Sequence, residues 1–204
     1  MIAIINYGLG NLGSIQNMLR KIGCSEVVIT SDAAQIDKAD KLILPGVGAF
    51  DSGMQKINDS GLLDTLNRNV LDKKKPVLGI CLGMQLLTNG SEEGVLPGLG
   101  WIDAMTKRFV SKPGQNLKVP HMGWNEITIS KQHPLVQNLY EPSRYYFVHT
   151  YHVVCNHKED ELMNCHYGIN FTAAVQRDNI MGVQFHPEKS HKFGMRLLQN
   201  FIAI

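Results

Sequence analysis

The sequence predicts an α/β fold with a mostly parallel central sheet, antiparallel additions and helices on both faces. In the first half of the chain, short apolar runs alternate with segments whose apolar residues recur at helical spacing. Such alternation is typical of a parallel sheet, because a helix usually connects each strand to the next. In the second half, shorter strand-like runs follow one another closely, which indicates antiparallel strands that extend the same sheet.

Four strands separated by helical segments are expected in the first half. A first helix is predicted by the apolar residues at helical spacing over 15–22, and Gly23 is expected to end it. Further helices are predicted around 50–57 and over 63–70. The predicted strands are 2–6, 26–30, 41–44 and 77–80.

After Gly90 the pattern changes from alternating elements to a succession of strands. Residues 91–94 are expected to begin a loop, and a final helix is expected around 193–201. No repeat, low-complexity tract or linker interrupts the pattern, so residues 1–204 are interpreted as a single domain. The predicted strands of this half are 101–108, 126–129, 145–148, 152–154, 171–176 and 180–184.

Composition restricts the class of protein. Apolar residues make up 44% of the 204 residues, enough for a substantial core, and the net charge of +2 gives no sign of nucleic-acid binding. No apolar run has the length of a membrane span, and the first residues lack the basic flank of a signal peptide. A cytoplasmic protein is therefore expected.

Four cysteines show no paired spacing, which argues against a disulfide framework. Two of them lie close to a histidine, in the segments 155–157 and 165–166. Their spacing matches no usual zinc pattern, so neither a metal site nor a cofactor is expected. The cysteines are Cys24, Cys81, Cys155 and Cys165.

Cys81 directly follows the fourth predicted strand and has a glycine two residues before it and two residues after it. This spacing is that of a nucleophile elbow, a sharp strand-to-helix turn that exposes a reactive side chain. A helix N-terminus there would favour the thiolate. We expect that helix to be amphipathic, with Met84, Leu86 and Leu87 buried. The alternative, a buried and inert cysteine, leaves both glycines unexplained.

His186 is the candidate general base for this nucleophile, since it comes at the end of an apolar strand. Glu188 lies two residues further on, and side chains two apart in an extended segment point the same way. A carboxylate in that position can orient the imidazole and stabilise its charged form, as in a catalytic triad. With eight histidines in the chain, a His-x-Glu pair alone would be weak support.

Acyl transfer also needs donors for an oxyanion. The amide that follows an elbow nucleophile commonly supplies one, which here is that of Leu82. A second donor could come from the segment Pro-Gly-Val-Gly at 45–48, at the end of the neighbouring strand, since active sites of open sheets lie at such carboxyl ends. A plain strand-to-helix turn explains that segment equally well.

The motifs Gly-Ile-Cys-Leu-Gly-Met-Gln at 79–85 and His-Pro-Glu at 186–188 resemble those of triad-type, class I glutamine amidotransferases. Within that family the chain is similar to the glutaminase branch of imidazole glycerol phosphate synthases, and the resemblance covers nearly the full chain. It implies a three-layer, flavodoxin-like sheet. Four further stretches carry it: NYGLGN at 6–11, LPGVGAF at 44–50, PHMGWN at 120–125 and FVHTY at 147–151.

The resemblance implies hydrolysis of glutamine to glutamate and ammonia through a γ-glutamyl thioester on Cys81. His186 would protonate the departing ammonia and then activate water, while Glu188 orients His186. Leu82 and the Gly46–Val47 peptide would stabilise the oxyanion. The residues that the resemblance assigns to glutamine binding are Gly48, Gln85, Glu93, Thr150 and Tyr151. From the sequence alone, Glu93 could equally be a solvated loop acid.

Proteins similar to this chain pass their ammonia to a (β/α)8-barrel cyclase subunit, which implies a heterodimer. Trp124, assigned to that interface, also fits a core aromatic after a turn. The sequence departs from the family pattern at His152 and after the triad at 190–193, which leaves the acceptor of ammonia open. The positions that match the interface are Asn11, Pro120, His121, Met122, Gly123, Trp124 and Lys189.

Three alternatives remain from the sequence. Paralogues of this branch supply ammonia to sugar-modifying enzymes of surface polysaccharide synthesis. A cysteine hydrolase or protease of the same fold would use the same nucleophile, although Gln85, Glu93 and the segment 120–125 argue against it. A non-enzymatic scaffold with a degenerate site would not need the complete triad.

Overall fold

A computed structural model describes residues 1–111, 114 and 117–204, and these form a mixed sheet flanked by helices. The strands are β1 (Ile2–Ile5), β2 (Val27–Thr30), β3 (Lys41–Gly46), β4 (Val77–Cys81), β5 (Gly90–Ser91), β6 (Ala104–Arg108), β7 (His121–Ile129), β8 (Arg144–His149), β9 (Tyr151–Cys155), β10 (Glu161–Tyr167), β11 (Ile169–Arg177) and β12 (Ile180–Val183). The α-helices are α1 (Leu12–Lys21), α2 (Ala33–Lys38), α3 (Phe50–Asp59), α4 (Leu63–Asn67), α5 (Leu82–Leu86) and α6 (His191–Ala203).

The strands of the main path follow the order β2-β1-β3-β4-β12-β11-β10-β7-β8. Pairing is parallel from β2 to β12 and antiparallel from β12 to β8. A branch leaves this path at β11, which pairs with β9, and continues through β6 to β5. The parallel centre with antiparallel additions is therefore confirmed. Because β3, β4 and β12 are parallel, their carboxyl ends meet at one edge of the sheet.

Helices cover both faces of the sheet, as predicted. Successive side chains of a strand point to opposite faces. Along β1, Ile2 and Ile4 belong to the core that packs against α1 and α6. Ala3 and Ile5 belong to the opposite core, which packs against α2, α3, α4 and α5. No helix in the described part of the chain is long and apolar enough to cross a bilayer.

The sequence-based prediction gave no bounds for three elements: helix α2, strand β10 and the two-residue strand β5, which lies where a loop was expected to begin. Helix α2 buries only Ile36, so it lacks the apolar repeat on which the prediction relied, although Asp32 caps it by accepting a hydrogen bond from the Ala34 N–H. Strand β10 contains polar residues such as Asn164 and His166, and this weakens its alternation. Strand β7 begins at His121, earlier than the expected start at 126.

Helix α5 differs from the expected amphipathic helix. It is five residues long, and every residue from Leu82 to Leu86 is buried. The helix lies between the sheet and α3, so it has no solvent-facing side that would require polar residues. Its position holds the residue before it, Cys81, at the carboxyl edge of the sheet.

Candidate active site

Cys81 ends β4, and α5 begins at the next residue. Its backbone has φ +56° and ψ −112°, a conformation that residues with a side chain rarely adopt. Strain of this kind costs roughly 1–3 kcal/mol and persists only where the surrounding structure enforces it. The turn at Cys81 is therefore the strained strand-to-helix turn that the glycine spacing predicted.

The glycines of the elbow allow close packing of backbone on backbone. A Cβ atom on Gly83 would lie 1.8 Å from the carbonyl oxygen of Leu44 in β3. A Cβ atom on Gly79 would lie 2.7 Å from the Gly83 carbonyl oxygen, and one on Gly46 would lie 3.0 Å from the Gly83 nitrogen. These contacts bring the end of β3, which carries the predicted oxyanion segment, directly against the elbow.

We expect Gly83→Ala to destabilise the fold by more than about 3 kcal/mol, or to prevent folding, because its methyl group would collide with backbone that cannot move aside. Gly13→Ala is the matched control. It lies in α1, where a Cβ atom would meet nothing within 4 Å, and it should stabilise by about 0.5–1 kcal/mol. Urea unfolding of both variants measures the difference. Equal stabilities would contradict the close approach at Gly83.

The predicted base and acid lie beside the elbow, because β12 pairs in parallel with β4 and brings the residues after Val183 next to Cys81. The Nδ1 atom of His186 lies 2.8 Å from Oε1 of Glu188, and both side chains are buried. Burial opposes the charged imidazolium. The interactions of Cys81 and Glu188 outweigh it and raise the pKa of His186 to about 9.

The Nε2 atom of His186, on the opposite side of the ring, is buried without a normal hydrogen bond to any described residue. His186 and Cys81 line the same cavity, and the Cys81 thiol is one of the groups that favour the charged form of His186. A cysteine, an imidazole facing it and a carboxylate behind that imidazole have the arrangement needed to activate a nucleophile.

The loop that carries His186 is held by hydrogen bonds to β8 and by α6. The His186 N–H donates to the carbonyl oxygen of Tyr146 over 2.9 Å. Ser190 Oγ donates to the carbonyl oxygen of His186 over 2.7 Å and accepts from the Tyr146 N–H over 3.0 Å. A Cβ atom on Gly194 of α6 would lie 1.8 Å from the Pro187 carbonyl oxygen. These contacts fix the position of the imidazole.

A cavity of about 320 Å³ opens in front of Cys81, a size suited to a small ligand. All five residues predicted to hold glutamine line it, together with Leu82 and Val47 of the predicted oxyanion site. Gly46 lies just behind, in β3 beside Cys81. The lining residues are Val47, Gly48, Cys81, Leu82, Gln85, Glu93, Pro120, Val148, His149, Thr150, Tyr151 and His186.

The segment 45–48 is held at its start by Tyr7. The buried Tyr7 hydroxyl donates to the Pro45 carbonyl oxygen over 2.6 Å. Burial and the nearby Cys81 raise the pKa of Tyr7 above its ordinary value, so this hydroxyl stays a donor. Beyond Gly46, Val47 and Gly48 are exposed, and Gly48 has φ +102°.

Glu93 has a structural partner as well as a position in the cavity. Its Oε2 atom accepts a hydrogen bond from the N–H of Phe50 over 2.8 Å, at the first residue of α3. Its own N–H donates to Ser91 Oγ, which fixes the turn that carries it. Glu93 therefore links the cavity wall to the start of α3 and is more than a solvated loop acid.

The sequence-based prediction missed Gln184. This side chain is fully buried, and its Nε2 atom lies 3.9 Å from the sulfur of Cys81 as a hydrogen-bond donor. Gln184 lies two residues before His186, so the period of an extended segment could have placed it on the same face. Val148 and His149, which also line the cavity, carried no comparable signal in the sequence.

The family model for glutamine amidotransferase class-I matches residues 3–204. The chain belongs to this amidotransferase family. Curated relatives match it over the full length. The chain is 58% identical over 202 residues to imidazole glycerol phosphate synthase subunit HisH 2 of Methanococcus maripaludis, covering 99% of this chain and 98% of that protein. It is 52% identical over 204 residues to subunit HisH 2 of Pseudomonas aeruginosa, covering all of both chains.

A third relative, imidazole glycerol phosphate synthase subunit HisH of Leptospira interrogans, is 44% identical over 205 residues and is also covered completely.

Solved structures of the amidotransferase fold are more distant in sequence. PurLQS of Thermotoga maritima matches with a TM-score of 0.73 at 16% identity, covering 99% of this chain and 97% of that chain. The glutaminase domain of Trypanosoma brucei CTPS, with bound acivicin, matches with a TM-score of 0.65 at 16% identity, covering 99% and 93%.

The positions predicted for the partner surface of this amidotransferase divide into exposed and buried residues. Met122 and Trp124 are 62% and 44% exposed, so the interpretation of Trp124 as a core aromatic is wrong. Its ring stacks on that of His191 at 5.7 Å. His121 is only 2% exposed and its side chain faces the interior, so it cannot contact a partner as the sequence suggested. The other positions, all exposed or half-buried, are Asn11, Pro120, Gly123 and Lys189.

Two buried histidines of the amidotransferase should make it sensitive to acid. Burial lowers the pKa of His121 to about 4 and that of His149 to about 3. Below pH 6.5 the unfolded chain binds protons that the folded chain excludes, so the stability present above pH 6.5 is lost as the pH falls towards 4. Between pH 7.5 and pH 5 each histidine should lower the free energy of unfolding by about 2 kcal/mol. Denaturant titrations at both pH values give the free energy of unfolding. Between pH 7.5 and pH 5 it should fall less in His121→Phe than in the exposed control His166→Phe.

The remaining cysteines differ from Cys81. All four are free thiols. Burial raises the pKa of both Cys155 and Cys165 to about 12, which makes them poor nucleophiles. Among the described residues, no group of three or more histidine, cysteine or acidic side chains is placed to hold a metal ion.

Proposed function

We propose that this chain is the glutaminase subunit of imidazole glycerol phosphate synthase, which supplies ammonia for histidine biosynthesis. The observation that carries the proposal is that Cys81 and His186 line one cavity, with Glu188 behind His186, in a chain that matches such subunits over its full length. Residues 1–204 act as one amidotransferase domain in the cytoplasm.

Catalysis begins with the thiolate of Cys81, which attacks the side-chain carbonyl carbon of glutamine. The high pKa of His186 keeps the imidazole protonated beside the thiolate, so it is ready to protonate the departing nitrogen. Ammonia leaves and a γ-glutamyl thioester forms on Cys81. His186, now neutral, takes a proton from water, and the hydroxide releases glutamate and the thiolate. Glu188 holds the imidazole by its Nδ1–H throughout.

The backbone around the cavity supplies the oxyanion donors. The N–H of Leu82 is one donor, and rotation of the Gly46–Val47 peptide brings the second N–H into the cavity. Glycine at 46 and 48 lowers the conformational energy of that rotation, because glycine adopts backbone angles that other residues avoid. An absent oxyanion donor costs on the order of a hundred- to a thousand-fold in rate. A partner that controls this peptide therefore controls the glutaminase.

Glutamine binds between the elbow and β9. Glu93 pairs with the α-ammonium of glutamine, and Gly48, Gln85, Thr150 and Tyr151 surround the rest of the molecule. The partner is a (β/α)8-barrel cyclase in a heterodimer. It docks on the exposed side chains of Met122 and Trp124, and Lys189 pairs with an acid of the partner near the triad. Asn11, Pro120 and Gly123 complete this surface.

Steady-state glutamate release tests the proposal. The purified chain should hydrolyse glutamine very slowly, and the cyclase subunit with its nucleotide-derived acceptor should accelerate hydrolysis by at least about a hundred-fold. Lys189→Ala should reduce this stimulation while Cys81 remains open to labelling. Full activity without a partner would overturn the model of activation.

The acceptor and the substrate class require separate assays. Formation of imidazole glycerol phosphate in the mixture supports histidine biosynthesis. Stimulation only by a paralogous barrel that aminates a sugar would place the chain in polysaccharide synthesis instead. Peptide cleavage without glutamine hydrolysis would identify a cysteine protease and overturn the proposal.

A further inference from the structure

A continuous chain of hydrogen bonds runs from the exposed strand β7 to the sulfur of Cys81. Its members lie on β4, β7, β8, β9 and α5 and in the segment after β12, and all are buried or half-buried. We call it the relay. It consists of Asn125, His121, His149, Tyr151, Gln85, Gln184 and Cys81.

The first arm of the relay ends at the carbonyl oxygen of Tyr151. His149 Nδ1 lies 2.7 Å from that oxygen and must donate to it, because a carbonyl only accepts. In the neutral imidazole the Nε2 atom is then the acceptor, and it lies 2.9 Å from Nδ1 of His121. His121 therefore donates from Nδ1, and its Nε2 accepts from Asn125 Nδ2 over 3.3 Å. The low pKa values of both histidines keep them neutral, as this arrangement requires.

The second arm starts at the same carbonyl oxygen of Tyr151 and leads to the sulfur of Cys81. Gln85 Nε2 donates to Tyr151 O over 3.1 Å and to Gln184 Oε1 over 3.0 Å. This fixes the orientation of the Gln184 amide, since its oxygen is the acceptor. Its Nε2 then points at the sulfur of Cys81, 3.9 Å away. A donor there stabilises negative charge on sulfur.

Backbone groups fix the direction of the relay at its outer end as well. Asn125 Nδ2 also donates to the carbonyl oxygen of His166 over 2.9 Å, and Asn125 Oδ1 accepts from the Glu126 N–H over 2.9 Å. Neither end can reverse without losing bonds to the backbone.

Both arms donate to the carbonyl oxygen of Tyr151 and share its lone pairs. A stronger bond from His149 therefore weakens the bond from Gln85 and alters how Gln85 holds the amide of Gln184.

We propose that His121 and His149 are positioning residues, through which a partner docked on β7 sets the hydrogen bond that Gln184 donates to Cys81. The proposal rests on the proposed function, because it takes Cys81 as the nucleophile and β7 as the docking strand. Along β7 the side chains alternate, so Met122 and Trp124 face outwards where a partner binds, and His121 and Asn125 carry the relay inwards. Movement of β7 on docking is thereby transmitted to the thiol.

His121→Phe tests the relay, since it retains a ring in the cluster of aromatic rings around Phe109 but removes both nitrogens. His152→Phe is the matched control. His152 packs in the same cluster, with its ring 4.6 Å from that of Phe109, and is not a member of the relay. Glutaminase stimulation by the cyclase subunit with its acceptor, the Kd of the complex, and the pH midpoint of Cys81 alkylation by iodoacetamide are measured for each protein.

We expect His121→Phe to lose roughly ten-fold or more of the stimulation, in the range of typical coupling between sites. Its Kd for the cyclase should stay within about three-fold of wild type, because His121 does not reach the surface. Docking should shift the pH midpoint of alkylation in the wild type and in His152→Phe, but not in His121→Phe. His121→Asn, which keeps a donor near the Nδ1 position, should recover part of the stimulation.

Stimulation of His121→Phe equal to that of the wild type would overturn the relay, as would an equal loss in His152→Phe. If His121→Phe does not fold, the comparison of His121→Asn with His152→Phe decides, and loss of stimulation in both variants overturns the relay. A wild-type chain that is not stimulated at all would instead overturn the proposed function, so the two failures are distinct.

Discussion

Cys81→Ala should abolish glutamine hydrolysis, with a loss in kcat on the order of 10⁵-fold or more, the scale on which nucleophiles of hydrolases contribute. Neither Cys155 nor Cys165 can replace it, because burial raises the pKa of both thiols to about 12. The variant should fold normally, with the free energy of unfolding within about 1 kcal/mol of wild type. Glutamate release under partner-stimulated conditions, together with urea unfolding, measures both quantities.

Cys81→Gly is the control that separates chemistry from backbone strain. It removes the thiol as Cys81→Ala does, but glycine tolerates φ +56°, so this variant should be more stable than Cys81→Ala by about 1 kcal/mol. An electrophilic glutamine analogue should label Cys81 in the wild type and spare Cys24, Cys155 and Cys165. Residual stimulated hydrolysis in both variants, or label spread over several cysteines, would contradict the assignment of Cys81.

His186→Ala should lower kcat by on the order of 10⁴-fold or more, because the protonated ring is needed for ammonia to leave and the neutral ring for water to attack. Glu188→Gln should lower kcat less than His186→Ala, since it keeps the size of the side chain and disturbs only the orientation and charge balance of His186. The kcat of the double variant should lie within about a few-fold of that of His186→Ala, because the two residues act as a unit.

Two exposed residues serve as controls for these substitutions, His166→Ala for the histidine and Glu26→Gln for the acid. Both should retain wild-type kcat. Single-turnover formation of the thioester and its hydrolysis can be followed separately, and the loss of His186 should slow both steps. Full activity in Glu188→Gln would remove Glu188 from the triad.

Local patterns in the sequence predict most of the fold. Apolar runs and helical repeats identify most elements of the parallel half, because these elements bury one face or all of their side chains in the core. The helix α2 and strand β10 are missed for the opposite reason, since tertiary pairing stabilises them where their own residues carry little apolar pattern. The short length of α5 depends on its position between the sheet and α3. No local sequence signal describes that position.

The same distinction between local sequence patterns and tertiary contacts applies to the candidate site. Cys81, with its glycines, and the His186–Glu188 pair lie in short motifs whose spacing reflects local geometry. Gln184 lies two residues before His186, so the period of an extended segment could have placed it there. His149 reaches the site through contacts between distant segments, and spacing along the chain does not identify it. The burial of His121 beside the exposed Met122 depends on which face of β7 meets the core, and that is set by the register of pairing with β8.

The anchors on either side of the Gly46–Val47 peptide have a consequence for how fast the glutaminase can be switched. The segment is fixed on one side where Tyr7 holds Pro45 and Gly46 abuts the elbow, and on the other where Glu93 holds Phe50. Between these points lie three exposed residues, 47–49, too few for a lid that opens and closes as a body. Activation by the peptide rotation that we propose is then confined to a short segment, and such a motion takes place on the nanosecond-to-microsecond scale. The lag between arrival of the acceptor and release of ammonia should therefore reflect docking and thioester chemistry, with no slow conformational phase in a stopped-flow trace.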